Sequence, residues 1–182
     1  LQGPAAEVVL ARHAPDLDSL TFMMSVKVEI SGVSVTVSRS GYTGEDGFEI
    51  SVNEDQAESL ARMLLAEPEV LAIGLGARDS LRLEAGFCLY GHDIDESTTP
   101  VEAALEWSIP KRRREEGGFC GSGVIQRQLS EGVSRRRVGI RPEGRAPARE
   151  HCELTDTEGN HLGEITSGGF GPTVGGPIAM GY

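Results

Sequence analysis

Val33-Ser34-Val35-Thr36-Val37-Ser38-Arg39, then Gly41-Tyr42-Thr43-Gly44-Glu45-Asp46-Gly47, then Phe48-Glu49-Ile50-Ser51-Val52 decides the fold of this 182-residue chain. Apolar and polar residues alternate on both sides of a glycine-rich loop, the pattern of two half-buried strands joined by a turn. Upstream, Phe22 to Ile30 reads as another strand, with Met24, Val26, Val28 and Ile30 on one face and Ser31-Gly32 as the turn that follows. Ala57, Leu60, Met63 and Leu64 then fall at helical spacing with Asn53 as N-cap, and Ala77 to Ala85 repeats the helical pattern after Gly74 and Gly76. Pro4 to Arg12 reads as a short helix with Pro in its first turn. This alternation predicts an α+β fold with an antiparallel sheet.

The texture changes at Pro110. Lys111-Arg112-Arg113-Arg114-Glu115-Glu116-Gly117-Gly118 is charged and reads as a flexible boundary, so the expected division is 1–109, a basic linker with a short helix over 110–133, and 134–182. The short helix spans about Ser122 to Leu129. Ser134 to Arg141, Cys152 to Thr155, His161 to Thr166 and Pro177 to Tyr182 read as short strands, with Glu158-Gly159-Asn160 as a hairpin turn and Gly168 to Gly176 as a glycine-rich loop. Strands at this spacing suggest a small β-barrel, and because the last of them runs to Tyr182 the barrel is expected to be partial.

Composition narrows the function classes. With 17 Lys+Arg against 28 Asp+Glu, the formal charge of −11 repels phosphate backbones, so nucleic acid is not expected as a partner. No apolar run approaches the ~18 residues of a membrane span, so no membrane partner is expected either. Cys88, Cys120 and Cys152 are an odd number without a C-x-x-C pair, which fits neither a disulfide framework nor a zinc site and favours a reducing compartment. The opening Leu1-Gln2-Gly3-Pro4, without an initiator Met, reads as a start within a longer protein.

Three segments carry chemistry. Three glycines within Gly41 to Gly47 permit close approach of backbone to a ligand, although a hairpin loop with solvated acids has the same composition. Glu49 stands apart, because alternation places it opposite Phe48 and Ile50, facing out or into a cleft. A carboxylate there can accept the two parallel N–H donors of a 2-amino-pyrimidinone edge. Gly74 to Gly86 fits an amphipathic helix whose Arg78, Asp79, Arg82 and Glu84 are surface charges, and Gly74-x-Gly76 is too little for a dinucleotide fingerprint. Lys111 to Arg114 fits either a solvated linker or a patch that attracts an acidic partner. His92, Asp93 and Asp95 lie within four loop residues with no second cluster, so no metal is assigned.

Gly41 to Glu49, Ala77-Arg-Asp-Ser-Leu-Arg-Leu-Glu-Ala-Gly86, Leu89-Tyr-Gly-His-Asp-Ile-Asp95, Thr98-Thr-Pro-Val-Glu102, Lys111 to Arg114 and Ala179-Met-Gly-Tyr182 together resemble the glycine cleavage T-protein family, in order and over nearly the whole chain. The resemblance implies a tetrahydrofolate-dependent aminomethyltransferase. Such an enzyme moves a methylene group from the aminomethyl-lipoyl group of a carrier, the H-protein, to tetrahydrofolate and releases ammonia. It implies that Glu49 binds the pterin edge with Arg78 beside it, that Tyr42 packs near the folate, and that Phe87 supplies a ring to stack on it. Trp107 is a further candidate for the same wall, or else a boundary-core tryptophan. Lys111, Arg112, Arg113 and Arg114 would attract the folate glutamate tail or the H-protein. No residue of this chain is assigned as catalytic, because the family's catalytic aspartate would lie upstream of Leu1, leaving the chain incomplete for catalysis by itself.

The implied compartment is the mitochondrial matrix, or the cytoplasm in a bacterium. Apolar surface left uncovered would favour self-association of the chain. Two other readings share the pterin site: the folate module of a dimethylglycine or sarcosine dehydrogenase-like enzyme, and a non-enzymatic folate-binding scaffold. Thr98 to Glu102 and Lys111 to Arg114 look less like the first, and the second carries a Lys-Gly-Cys-Tyr motif that does not stand here.

Overall fold

The computed structural model describes residues 1–17 and 19–182, and the chain divides into two compact units, Leu1–Ala85 and Gly86–Tyr182. In the first unit β1 (Ser25–Ile30), β2 (Val33–Arg39) and β3 (Phe48–Ser51) form an antiparallel sheet in that order. Ser31 and Gly32 have φ of 51° and 81°, the two positive values that a tight two-residue hairpin turn requires. The register sets Val26 beside Val37 and Val37 beside Ile50, while Ser25, Ser38 and Glu49 line up in the neighbouring row. Because side chains alternate across a strand, one face is apolar and the other carries hydroxyls and Glu49.

The apolar face is covered by helices. Ile30, Val35, Val37 and Phe48 are buried in one core with Ala6 and Leu10 of α1 (Ala6–Ala11) and Leu60 of α2 (Glu54–Leu65). Burial of side chains this large contributes about 1.5–3 kcal/mol each, far more than any surface ion pair in the unit. Arg39 ends the apolar row by lying over the Phe48 ring, 5.4 Å from its centroid, and by pairing with Asp46 and Glu7. Arg39 holds the Asp46 carboxyl below the usual carboxylate range. The third helix, α3 (Leu75–Glu84), buries Leu83 and also Arg82, which is only 3% exposed. Arg82 is therefore not the surface charge that the helical pattern suggested, and its Nε donates to Asp79 at 2.8 Å.

One side chain organises the loop before β3. Leu1 exchanges backbone hydrogen bonds with Phe48, and the Gln2 amide passes between Gly41 and Gly47. A Cβ on Gly41 would lie 1.9 Å from Gln2 Oε1, and one on Gly47 would lie 2.5 Å from Gln2 Cδ. These two glycines make room for a neighbouring side chain rather than for a ligand. Gly44 has φ +81°, and a Cβ there would meet that of Ala85 at 2.6 Å.

The second unit contains α4 (Lys111–Glu116), α5 (Ser122–Glu131) and a four-stranded antiparallel sheet, order β4-β7-β6-β5, from β4 (Val138–Ile140), β5 (Glu153–Thr155), β6 (His161–Gly171) and β7 (Gly176–Gly181). The sheet does not close, as expected of a partial barrel. Asp93 is 1% exposed, and its carboxylate accepts from the Leu89 N–H, Thr166 Oγ1 and Ser167 Oγ. Its backbone carbonyl takes the Tyr182 hydroxyl at 2.8 Å. Asp93 is thus a buried tie between a loop and β6, not a solvated loop acid.

Several sequence boundaries shift. The strand expected from Phe22 begins at Ser25, because Met23 turns to φ 67° and gives its N–H to the Arg39 carbonyl. Asn53 stands at the N-cap of α2 but makes no side-chain cap bond. The run Lys111 to Glu116 is helical, not flexible, with Lys111–Glu115 and Arg112–Glu116 paired one turn apart. Gly168 to Gly171 belongs to β6 rather than to a loop, since it pairs with Gly176 to Ala179 of β7, and a Cβ at Gly168 would fall 1.8 Å from the Ala148 carbonyl oxygen. The strand expected from Ser134 is confined to Val138–Ile140.

Gly41→Ala is expected to cost about 1–3 kcal/mol by forcing the loop off Gln2. Urea unfolding of Gly41→Ala, Gln2→Ala and the double variant should show that the second substitution relieves much of the first. Purely additive losses would mean that Gln2 does not fill this gap.

Candidate functional site

The sheet and α3 bring three of the predicted residues together. Glu49 and Arg78 line one open pocket of about 390 Å³, with Phe48 and Ile50 of β3, the neighbouring Leu1 and Val52, and Ala57, Leu60, Ala61 and Leu64 from α2. Tyr42 stands beside them, its ring 4.8 Å from the Arg78 guanidinium carbon. Glu49 is exposed on the hydroxyl-bearing row, as strand alternation required, and Ser40 Oγ donates to its Oε2 at 2.6 Å. A carboxylate offers about four lone-pair sites, so this one bond leaves Glu49 able to accept a pair of parallel N–H donors. The arrangement provides an anionic acceptor, a fixed guanidinium and an aromatic face at the edge of an apolar pocket.

Ser40 carries no motif of its own and was not singled out in the sequence; the signal for it was its place two residues beyond Ser38 on the Glu49 face. Gln2 was missed as well, although the Gly41/Gly47 spacing announced a close approach by something. A larger apolar cavity of about 520 Å³, lined among others by Val9, Leu64, Leu65, Val70, Leu71 and Leu81, includes none of the predicted site residues.

The other predicted residues lie in the second unit. Phe87 is 39% exposed, directly after α3. Trp107, in a short 3-10 turn over Glu106–Ser108, is 74% exposed in this chain. In α4, Lys111 and Arg112 are paired within the helix, and Arg113 Nη1 reaches the Gly117 and Gly118 carbonyls that end it. Arg114 Nε is buried without a hydrogen-bond partner among the described residues. Four cations thus present less free charge than their count suggests.

No cluster of His, Cys, Asp or Glu among the described residues has a geometry that could hold a metal ion. His92 is bonded to Glu150, Asp93 to β6, and Asp95 to Ser97 and Thr98, whose hydroxyl and amide donors hold its carboxyl below the usual range. Among the described residues no helix is long and apolar enough to cross a membrane.

The chain thus joins an α+β unit that carries a carboxylate and a guanidinium at one pocket to a unit with an open antiparallel sheet, a pairing that comparison with known proteins places. Residues 1–113 match the model of the GCVT N-terminal domain and 135–182 that of the glycine cleavage T-protein C-terminal barrel domain. The mitochondrial aminomethyltransferase of Solanum tuberosum is 52% identical over 185 residues, covering 100% of this chain and 45% of the relative. The probable mitochondrial aminomethyltransferase of Schizosaccharomyces pombe is also 52% identical, covering 100% of this chain and 47% of its own length. The crystal structure of glycine cleavage system aminomethyltransferase T from Bartonella henselae superimposes with a TM-score of 0.90 at 48% identity, over 99% of this chain and 49% of that one. The chain belongs to the glycine cleavage T-protein family, and it spans about half the length of the curated relatives it matches. The family models part between 113 and 135, whereas compactness divides the chain at Ala85 and Gly86.

A double-mutant cycle on Tyr42 and Arg78 should return a coupling of about 0.5–1 kcal/mol, the size of a partly exposed cation–π contact. Chemical denaturation of Tyr42→Ala, Arg78→Met and the pair measures it. A coupling indistinguishable from zero would show that the stack does not persist in solution.

Proposed function

We propose that this chain forms one wall of the folate site, and the barrel portion, of a tetrahydrofolate-dependent aminomethyltransferase acting on the lipoyl-bound aminomethyl group of an H-protein. The observation that carries the reading is the sharing of one pocket by Glu49 and Arg78, with Tyr42 stacked on the guanidinium. Glu49 would accept the paired N–H donors of the pterin edge, and Arg78 would orient that edge or donate to it. Tyr42 would flank the ring. Phe87 and Trp107 are proposed as further aromatic contacts. Tetrahydrofolate would supply the amine that receives the methylene carbon.

The residues of this chain account for binding and orientation rather than proton transfer. Asp46 is committed to Arg39, Asp79 to Arg82, Asp95 to Ser97 and Thr98, and Asp93 is buried. The carboxylate that handles developing charge is therefore proposed to come from the part of the protein outside this chain, and the relatives, about twice as long, have room for it. The net positive charge of Lys111 to Arg114 in an otherwise acidic chain supports attraction of an acidic partner, the lipoylated H-protein or the folate tail. The compartment follows the source cell, mitochondrial matrix in a eukaryote and cytoplasm in a bacterium. Exposed Leu71, Ile73 and Leu75, each at least 64% accessible, favour self-association of the isolated chain.

Glu49→Gln in the full-length protein is expected to weaken folate binding by roughly 2–4 kcal/mol, since an amide offers one acceptor and one donor where two donors must be received. Thermal stability should hardly change, and unchanged folate affinity would remove Glu49 from the site. The 182-residue chain alone should release no ammonia from aminomethyl-lipoyl carrier with tetrahydrofolate. Turnover by the chain alone would place the catalytic acid within it.

A further inference from the structure

In the second unit, four titratable side chains form a continuous surface chain between a loop and the barrel. His92 Nδ1 lies 2.6 Å from Glu150 Oε1, the same oxygen lies 3.9 Å from His151 Nε2, and His151 Nδ1 lies 2.6 Å from Glu164 Oε1. His92 belongs to the Leu89–Asp95 loop, Glu150 and His151 to the segment before β5, and Glu164 to β6. Glu153 of β5 stands directly across the ladder from Glu164 and adds a third negative charge to the patch. Among the described residues the ion pairs of Glu150 and Glu164 are made with these two histidines.

We propose that His92, Glu150, His151 and Glu164 form a pH-sensitive strap that holds the Leu89–Asp95 loop and the Arg149–Cys152 segment to β6 when the histidines are protonated and lets them open as pH rises. The strap has backbone to act on. His92 and Asp93 give their N–H groups to Leu89, Gly91 gives its own to Ile94, and His151 and Ile165 are bonded in the sequence His151 N–H to Ile165 O and Ile165 N–H to Cys152 O. His151 also holds a left-handed backbone, φ 68°, which costs a residue with a Cβ and needs local contacts to keep it.

The direction follows from the charges. A protonated histidine is attracted to its carboxylates, whereas a neutral one keeps at most a single ordinary hydrogen bond. The carboxylate of Glu164, then that of Glu150, raise the His151 pKa above its ordinary ~6.5. A raised folded-state value means that the contribution is complete below ~6.5 and is lost as pH climbs through the higher folded value. Asp93, buried beside His92 and tied to Thr166 and Ser167, keeps the loop's inner anchor, so opening is local rather than global. The strap is independent of the folate reading, and Phe87 lies two residues before the loop it governs.

Hydrogen exchange by mass spectrometry on the full-length protein, from pH about 6 to about 8.5 and corrected for intrinsic base catalysis, tests it across the ordinary histidine range. In the wild type, opening read from peptides covering 87–96 and 148–156 should rise about two- to fivefold with pH, the range expected of exposed ion pairs, while β1–β2 peptides stay level. Glu150→Gln should open the loop peptide at low pH and flatten its pH profile, as should His92→Asn, while the His151–Glu164 pair keeps the pH dependence of the 148–156 peptide in both variants. A flat profile in the wild type, or an unaltered pH dependence of the loop peptide in Glu150→Gln, would overturn the proposal.

Discussion

The Gln2 amide held between Gly41 and Gly47 is the contact on which the candidate site depends. The Gly41 to Gly47 loop has few apolar side chains with which to bury itself, so its shape must come from hydrogen bonds and close packing. Gln2 supplies both: Nε2 donates to the Ser40 carbonyl at 2.9 Å, and Thr43 Oγ1 reaches Gln2 Oε1 at 3.3 Å. On one side of the loop this sets Tyr42 against Arg78. On the other it delivers the chain into β3 in the register that turns Glu49 away from the core. A one-residue slip would exchange Glu49 with Phe48 or Ile50 and bury a carboxylate against Leu60, a cost several times that of any surface contact nearby.

Legibility in the sequence tracks the range of the interaction. Period-2 alternation through Val33, Val35 and Val37 is a local property of a sheet with one buried face, and it placed the strands and the outward aim of Glu49 correctly. Helical spacing at Ala57, Leu60 and Met63 was equally local. What failed was decided at a distance. Gly41 and Gly47 look like glycines awaiting a ligand until a residue some forty positions upstream is seen between them. Asp93 looks like a loop acid until Thr166 and Ser167, more than seventy positions away, are found to cover it. Arg82 has the spacing of a surface helix residue, and only tertiary packing makes it buried.

The charged run after Pro110 failed for a different reason. Glycines and a dense block of like charge suggest a chain that cannot pack, yet the two glutamates that follow stand one helical turn from Lys111 and Arg112 and neutralise them in place. The short helix then positions Arg113 over the carbonyls at its own C-terminus, where a cation is favoured. Local pairing turned an apparent linker into an ordered element whose field is weaker and more directional than that of four free cations.

The two units use buried polar groups in different ways. In the first, Arg82 is buried in α3 but the charges around the sheet stay at the rim: Arg39, Glu49 and Arg78 sit at the ends and edges of an apolar sheet, where they keep part of their hydration. In the second, a carboxylate is taken inside, and it is tolerated because hydroxyl and amide donors replace the water it loses. A site built at a rim can recognise a flat polar edge, but recognition that is equal in the ground and transition states does not accelerate chemistry. Positioning of the reacting atoms can lower a barrier by as much as ~7–11 kcal/mol, and it needs groups that approach the substrate from more than one side. Glu49 and Arg78, with Tyr42 stacked on the guanidinium, stand together at the edge of one open pocket, and on the proposed reading they would supply one wall of a larger enclosure.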